Sequence, residues 1–182
     1  MQRARPITTL PDDVTDVQAG RYHSLAVTAG GHMYSWGHGQ GGRLGHGNEH
    51  TQPIPLLIAT LAGASSGPSG TPSIRWRVTA IAAGDAHSLA ATSDGILFSW
   101  GNDRAGQLGH GGSSGGGRDR DNRDSNKDMC LYPRRVDALK RYHAVAVAAG
   151  ALHSLVVTRE NQSTTTLWAF GSNKQGQLGV PS

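Results

Sequence analysis

Short apolar segments, each closed by glycine or a turn, run through the chain, and the 3.6-residue spacing of an amphipathic helix is nearly absent. Apolar and polar positions alternate instead, which predicts many short strands. The segments fall into three groups: 6–10, 14–19, 23–28 and 32–36; 53–61, 78–83, 87–92 and 96–100; 133–139, 145–149, 153–158 and 166–170. Each group opens on a segment containing proline and continues with an alternating strand that ends before glycine. A strand beginning His-Ser follows, then one ending on an aromatic ring. Four strands per unit is the blade of a β-propeller. The expectation is an all-β propeller of four-stranded blades with three blades present, as one domain over residues 1–182, its repeats at about 5–47, 53–111 and 132–180.

The grouping rests on a repeat visible in the letters. Residues 82–111 read AAGDAHSLAATSDGILFSWGNDRAGQLGHG, and residues 18–47 and 148–179 carry the same pattern. In register stand Gly20, Gly84 and Gly150; His23, His87 and His153; Trp36, Trp100 and Phe170; and Gly37, Gly101 and Gly171. Positions that recur in this way serve the fold of the unit. The glycine after the second strand is expected to supply a positive φ or a close backbone approach. Gly30-Gly31 and Asp94-Gly95 predict tight turns, replaced in the third copy by a polar loop over 159–165. Two stretches interrupt the pattern: 62–73, AGASSGPSGTPS, and 111–128, rich in glycine and alternating charge. Both are expected to be mobile, and to be insertions in one type of loop on one face of the ring.

The run Trp100-Gly101-Asn102-Asp103-Arg104-Ala105-Gly106-Gln107-Leu108-Gly109, preceded by Gly84-Asp85-Ala86-His87-Ser88-Leu89, resembles the repeat of the regulator of chromosome condensation family, and 171–179 is similar to it. Departures are Arg43 for the motif glutamine, Phe170 for tryptophan and Val180 for histidine. The resemblance implies a seven-bladed propeller, of which three blades make a partial ring. Open outer faces and strand edges are an aggregation liability. A fragment of a larger protein, or a ring completed by missing blades or other chains, is therefore expected.

Charge changes the picture little. The net charge is +4, but the 17 Lys and Arg residues are scattered rather than gathered with stacking aromatics, which argues against nucleic acid or chromatin as a partner of this chain. Arg75-Trp76-Arg77 is the only local hint of such a surface. A single cysteine, Cys130, excludes an internal disulfide framework and fits an intracellular place, cytoplasm or nucleus. No apolar run is long enough for a membrane helix, and residues 1–13 lack the apolar core of a secretory signal.

The chemistry-bearing residues read the same way. His23, His87 and His153 could be zinc ligands, but equivalent places in successive blades spread them around an axis. The blander reading is that each imidazole ties a turn within its own blade. The serines that follow them point to the opposite strand face, so no neighbouring Ser-His pair is a nucleophile and base. Trp36, Trp100 and Phe170 read as packing between blades rather than a stacking platform. The glycine-rich exits lack a following helix and a Gly-Lys-Ser/Thr, so they are not phosphate cradles. No catalytic residue, metal or cofactor is expected, and the chain is not read as an enzyme. The positions that differ between copies remain: Arg21, Tyr22 and Asp85 between glycine and histidine, and Arg104 and Lys174 in the exits. These are the candidate partner-binding loops. The function expected is a protein–protein interaction scaffold. The alternatives are a guanine-nucleotide exchange (releasing) factor for a Ran-like small GTPase, implied by the resemblance, and a piece of a multidomain protein such as a ubiquitin ligase.

Overall fold

The computed structural model describes residues 3–11, 13–66, 72–111, 128–161 and 163–181. Among them lie thirteen strands and two short 3-10 turns, Gln40–Gly42 and Asp137–Leu139. The first sheet is β1 (Val14–Ala19), β2 (His23–Thr28), β3 (Met33–Gly37) and β4 (Gln52–Leu57), paired in that order. A hairpin of β5 (Ala62–Ser66) and β6 (Pro72–Ile74) follows. The second sheet is β7 (Val78–Ala83), β8 (His87–Thr92), β9 (Leu97–Asn102) and β10 (Met129–Arg135). The third holds β11 (His143–Ala149), β12 (His153–Arg159) and β13 (Thr165–Gly171). Each is an antiparallel meander, as the His-Ser strands and tight turns predict, and the three stand side by side as propeller blades.

Sheet and sequence unit are offset by one strand. The proline-containing segment that opens each sequence group is the outer strand of the preceding sheet: Leu57 pairs with Tyr34, and Arg135 with Phe98. After its exit loop the chain folds back on the open edge of the strand it has just left. Prolines fit there, because an outermost strand needs ladder donors on one side only. Residues 6–10, expected as a strand, form none and are largely exposed.

The two interruptions also differ from expectation. Strand directions place Gly20, His23 and Gly37 at one end of the first blade, with the turn at Gly30-Gly31 at the other. The chain leaves β9 and enters β10 at the glycine–histidine end, where Met129 pairs with Asn102. The β5–β6 hairpin follows β4, at the opposite end. The strand ends that flank the two interruptions therefore lie at opposite ends of their blades, against the expectation of one type of loop. The expectation of mobility over 111–128 falls almost wholly outside the described residues, as does 67–71 within 62–73.

The core lies between blades. Leu25 and Val27 of the first sheet meet Val78, Ile81, Phe98 and Trp100 of the second, with Ile58 and Leu61 closing the outer side. Leu89, Ala91 and Leu97 meet Ala144 and Val156 of the third, closed by Val136 and Leu139. Trp76 packs its ring on Phe98, and Tyr142 repeats this on Trp168. Arg77 donates to the carbonyls of Ala29 and Gly30. The Arg75-Trp76-Arg77 run is thus largely committed to joining blades.

Gly101 shows what recurring glycines do. Its φ is +103°, and a Cβ there would stand 2.5 Å from the Ala86 carbonyl oxygen and 2.7 Å from the His87 Cα. Gly106 also has a positive φ, +78°, but open space around it. G106A is expected to cost about 1–2 kcal/mol from backbone strain alone. G101A, which adds a backbone collision, should cost at least about 3 kcal/mol in denaturant unfolding. Equal losses would contradict the close-approach reading.

Candidate functional site: the glycine–histidine end

Neighbouring residues on β2, β8 and β12 face opposite sides, so His23 and Ser24 do not meet, nor do His87 and Ser88. Imidazole and hydroxyl pair across the gap between blades instead. His23 Nε2 lies 2.9 Å from Ser88 Oγ, and His87 Nε2 lies 3.0 Å from Ser154 Oγ. This corrects the expectation that each histidine ties a turn within its own blade. The serines pass the contact on: Ser88 Oγ donates to the Arg43 carbonyl at 2.8 Å, and Ser154 Oγ to that of Gln107 at 2.8 Å. Trp100 Nε1 donates to the same Arg43 carbonyl at 3.0 Å. The exit loop of one blade is thereby pinned to the next.

The polarity of this relay is fixed. Each serine hydroxyl has one hydrogen, spent on a carbonyl, so the imidazole must donate through Nε2–H. An imidazole that donates to serine cannot take its proton, so the pair is arranged for anchoring and not for nucleophilic attack. The other ring nitrogen, Nδ1 of His23 and His87, is buried without a hydrogen-bond partner. It lies against Gly20 or Gly84, where an added Cβ would strike the ring. Neither of these glycines has a positive φ; close approach is their purpose. Protonation would put an unmatched N–H against this backbone. Burial, then the neighbouring Arg43 and His87, push the His23 pKa down to about 4. Burial and then His153 do the same to His87, also to about 4.

A second anchor lies inside each of the first two blades. Ser35 Oγ donates to the Leu44 carbonyl at 2.7 Å and contacts His46 Nε2 at 2.9 Å. Ser99 repeats this with Leu108 at 2.7 Å and His110 at 3.3 Å. These residues do not stand out in the repeat motif. Their signature is a paired loss: in the third copy Ala169 replaces the serine and Val180 the histidine, both partners together.

On this scaffold sit the variable residues. Arg21 approaches Asp85 at 3.5 Å and lies over the Tyr22 ring at 5.2 Å. Tyr22 meets His38 edge-on, centroids 6.1 Å apart. Beneath them Arg43, the departure from the motif glutamine, reaches across to the Asp85 carbonyl at 2.9 Å. The structure thus brings Arg21, Tyr22 and Asp85 into one cluster bridging two blades. Arg104 and Lys174 stand exposed on the second and third exit loops, at the same end. Trp100 is fully buried between blades, Phe170 lies against Gly109 of the preceding exit, and Trp36 is half-buried. Among the described residues no group of three or more His, Cys, Asp or Glu is placed to hold a metal ion.

The depressed histidines set a pH dependence. Their folded pKa lies below the unfolded 6.5, so their contribution is complete above pH 6.5 and is lost as pH falls toward 4. Over that window wild-type stability should fall by about 3 kcal/mol more than that of His87→Gln. Parallel stability–pH curves for the two would contradict the neutral, buried relay.

Residues 30–91 and 94–157 match the regulator of chromosome condensation (RCC1) repeat, as do residues 14–43, 78–107 and 144–177 in a second description of that repeat. Human E3 ubiquitin-protein ligase HERC2 is 33% identical over 168 residues, covering 91% of this chain and 3% of that protein. The Arabidopsis thaliana ultraviolet-B receptor UVR8 is 35% identical over 168 residues, covering 92% of this chain and 31% of that one. Among solved structures, human WBSCR16 superposes with a TM-score of 0.68 at 24% identity, over 93% of this chain and 36% of that one. Saccharomyces cerevisiae Prp20p, described with its binding properties to Gsp1p and histones, gives 0.63 at 24%, over 93% and 34%. The chain spans about a third or less of the length of these relatives. With three copies of the repeat on three propeller blades, the chain belongs to the regulator of chromosome condensation (RCC1) repeat family.

Proposed function

We propose that this chain is a protein-interaction module whose partner is read by the glycine–histidine end, with Arg21, Tyr22 and Asp85 at the centre and Arg104 and Lys174 at the flank. The observation that supports this most directly is the Arg21–Tyr22–Asp85 cluster. Tyr22 is 57% exposed although its neighbour His23 is buried and hydrogen-bonded to Ser88 of the next blade. An exposed tyrosine beside an arginine, held by a rigid support, is the composition of an interface hot spot. The Arg21–Asp85 pair is solvent-exposed and contributes little to stability, so it is free to serve recognition. On this reading the module has no chemistry of its own and acts inside the cell, in cytoplasm or nucleus.

A second reading has its own support. The HERC2 match covers 91% of this chain, which fits a partner-recruiting part of a larger ubiquitin-ligase-type protein. Exchange on a Ran-like GTPase remains the third reading, and it needs contacts that distort the partner's nucleotide site.

Proteins cross-linked to the wild-type chain in cell extract should be lost with the double variant Arg21→Ala/Tyr22→Ala. They should be retained with Arg75→Ala, at the opposite end. The reverse pattern would move the site. Nucleotide release from a Ran-like GTPase should not accelerate when the chain is added; acceleration would favour exchange.

A further inference from the structure

The glycine–histidine end is tied together across all three blades. Arg43 donates to the Asp85 carbonyl, and Asp85 N–H donates to the Ala151 carbonyl at 3.3 Å. The exit loops begin beside the same turns: Asn102 N–H donates to the Ala86 carbonyl and Ser172 N–H to the Leu152 carbonyl, each at 2.8 Å. Arg104 and Lys174 stand just beyond Asn102 and Ser172, in equivalent places. The two cations therefore belong to one surface with Arg21, Tyr22 and Asp85.

The charges of this surface are sorted by direction. Its carboxylates are engaged within the fold. Asp85 faces Arg21, and Asp103 accepts from Leu108 N–H at 2.8 Å. That second bond serves the loop, since Asn173 makes it with Leu178 at 3.1 Å in the third copy. Glu49 accepts from Gly41 N–H, taking over from the glutamine that Arg43 replaces: Gln107 and Gln177 accept from Ala105 and Gln175 N–H, in the place of Gly41. Asp128, exposed just before β10, is the exception among the described acids of this end. The cations are the reverse. Arg104 and Lys174 are exposed, and neither side chain bonds to a described residue. Their equivalent in the first copy, Gln40, is exposed too. The loops of Gln40 and Arg104 are each pinned by a following blade, so exposure is a property of this position.

Unpaired cations on neighbouring exit loops attract a negatively charged partner and fix its register. Asp85 stands between them and Arg21. A nucleic acid, with its continuous phosphates, would be repelled there, whereas separate carboxylates can lie on either side. On the reading that this end seats the partner, we propose that the partner offers an extended acidic segment. Its carboxylates pair with Arg104 and Lys174 across two exit loops, and it runs on past Asp85 towards Arg21 and Tyr22.

Peptide-display selection on the chain tests this. Peptides retained by the wild type should be enriched in Asp and Glu, and their binding should weaken as salt rises. Arg104→Glu/Lys174→Glu should weaken the selected peptides at least about tenfold in fluorescence anisotropy. Arg75→Glu/Arg141→Glu, the same change in net charge at the opposite end, should leave their affinity unchanged. All four residues are exposed, so folding should survive. Selection of neutral or basic peptides, or of none, would overturn the proposal, as would equal losses in the two charge-reversed variants. Tighter binding of single-stranded DNA than of any selected peptide, lost in Arg104→Glu/Lys174→Glu, would overturn it in favour of nucleic acid. Peptides that are not acidic but are lost with Arg21→Ala/Tyr22→Ala would overturn the acidic partner and leave the interaction surface standing. Peptides indifferent to both double variants of this end would overturn both.

Discussion

The structure depends on a hydrogen-bond relay that crosses each gap between blades: imidazole to serine hydroxyl, serine hydroxyl to exit-loop carbonyl. Around it each interface is mainly apolar, with further hydrogen bonds at its ends, among them Val78 N–H to the Gly31 carbonyl, Ala144 N–H to the Gly95 carbonyl and Arg77 to Ala29 and Gly30. Apolar contact alone tolerates sliding. Three polar groups that must be matched when buried leave one arrangement open. The apolar cores supply most of the burial energy, and the relay fixes register. The glycine behind the imidazole is part of the same device, since a side chain there would displace the ring.

Holding the exit loop rigid is also what gives the surface its character. The Arg43 carbonyl receives Ser88 and Trp100 from the next blade, while the Arg43 side chain reaches the Asp85 carbonyl. Arg21, Tyr22 and Asp85 therefore stand on a junction between two blades and not on a single free loop. A partner contacting them meets a preorganised surface and orders little on binding.

Much of this was legible in the sequence. Strand alternation, the His-Ser starts and the glycine positions mark most strands, because period-two patterning and turn chemistry are local. Which sheet a strand joins is not local, and the repeat pattern does not specify it: β4 and β10 pair backwards, to β3 and β9. The direction of the histidines is hidden for the same reason. Repetition shows that His23 and His87 do one job, but not that the job is done on Ser88 and Ser154, more than sixty residues away. The Ser35–His46 and Ser99–His110 anchors left a readable trace in their joint absence from the third copy, at Ala169 and Val180. The Arg21–Tyr22–Asp85 cluster was found as variable positions, while its geometry required the fold.

The most direct test of the relay as the determinant of blade register is a double-mutant cycle on His23 and Ser88. Unfolding free energies of His23→Phe, Ser88→Ala and the double variant should show a coupling of about 1–3 kcal/mol, the double variant losing less than the summed losses. Strictly additive losses would mean that the two side chains act independently, and would contradict the account.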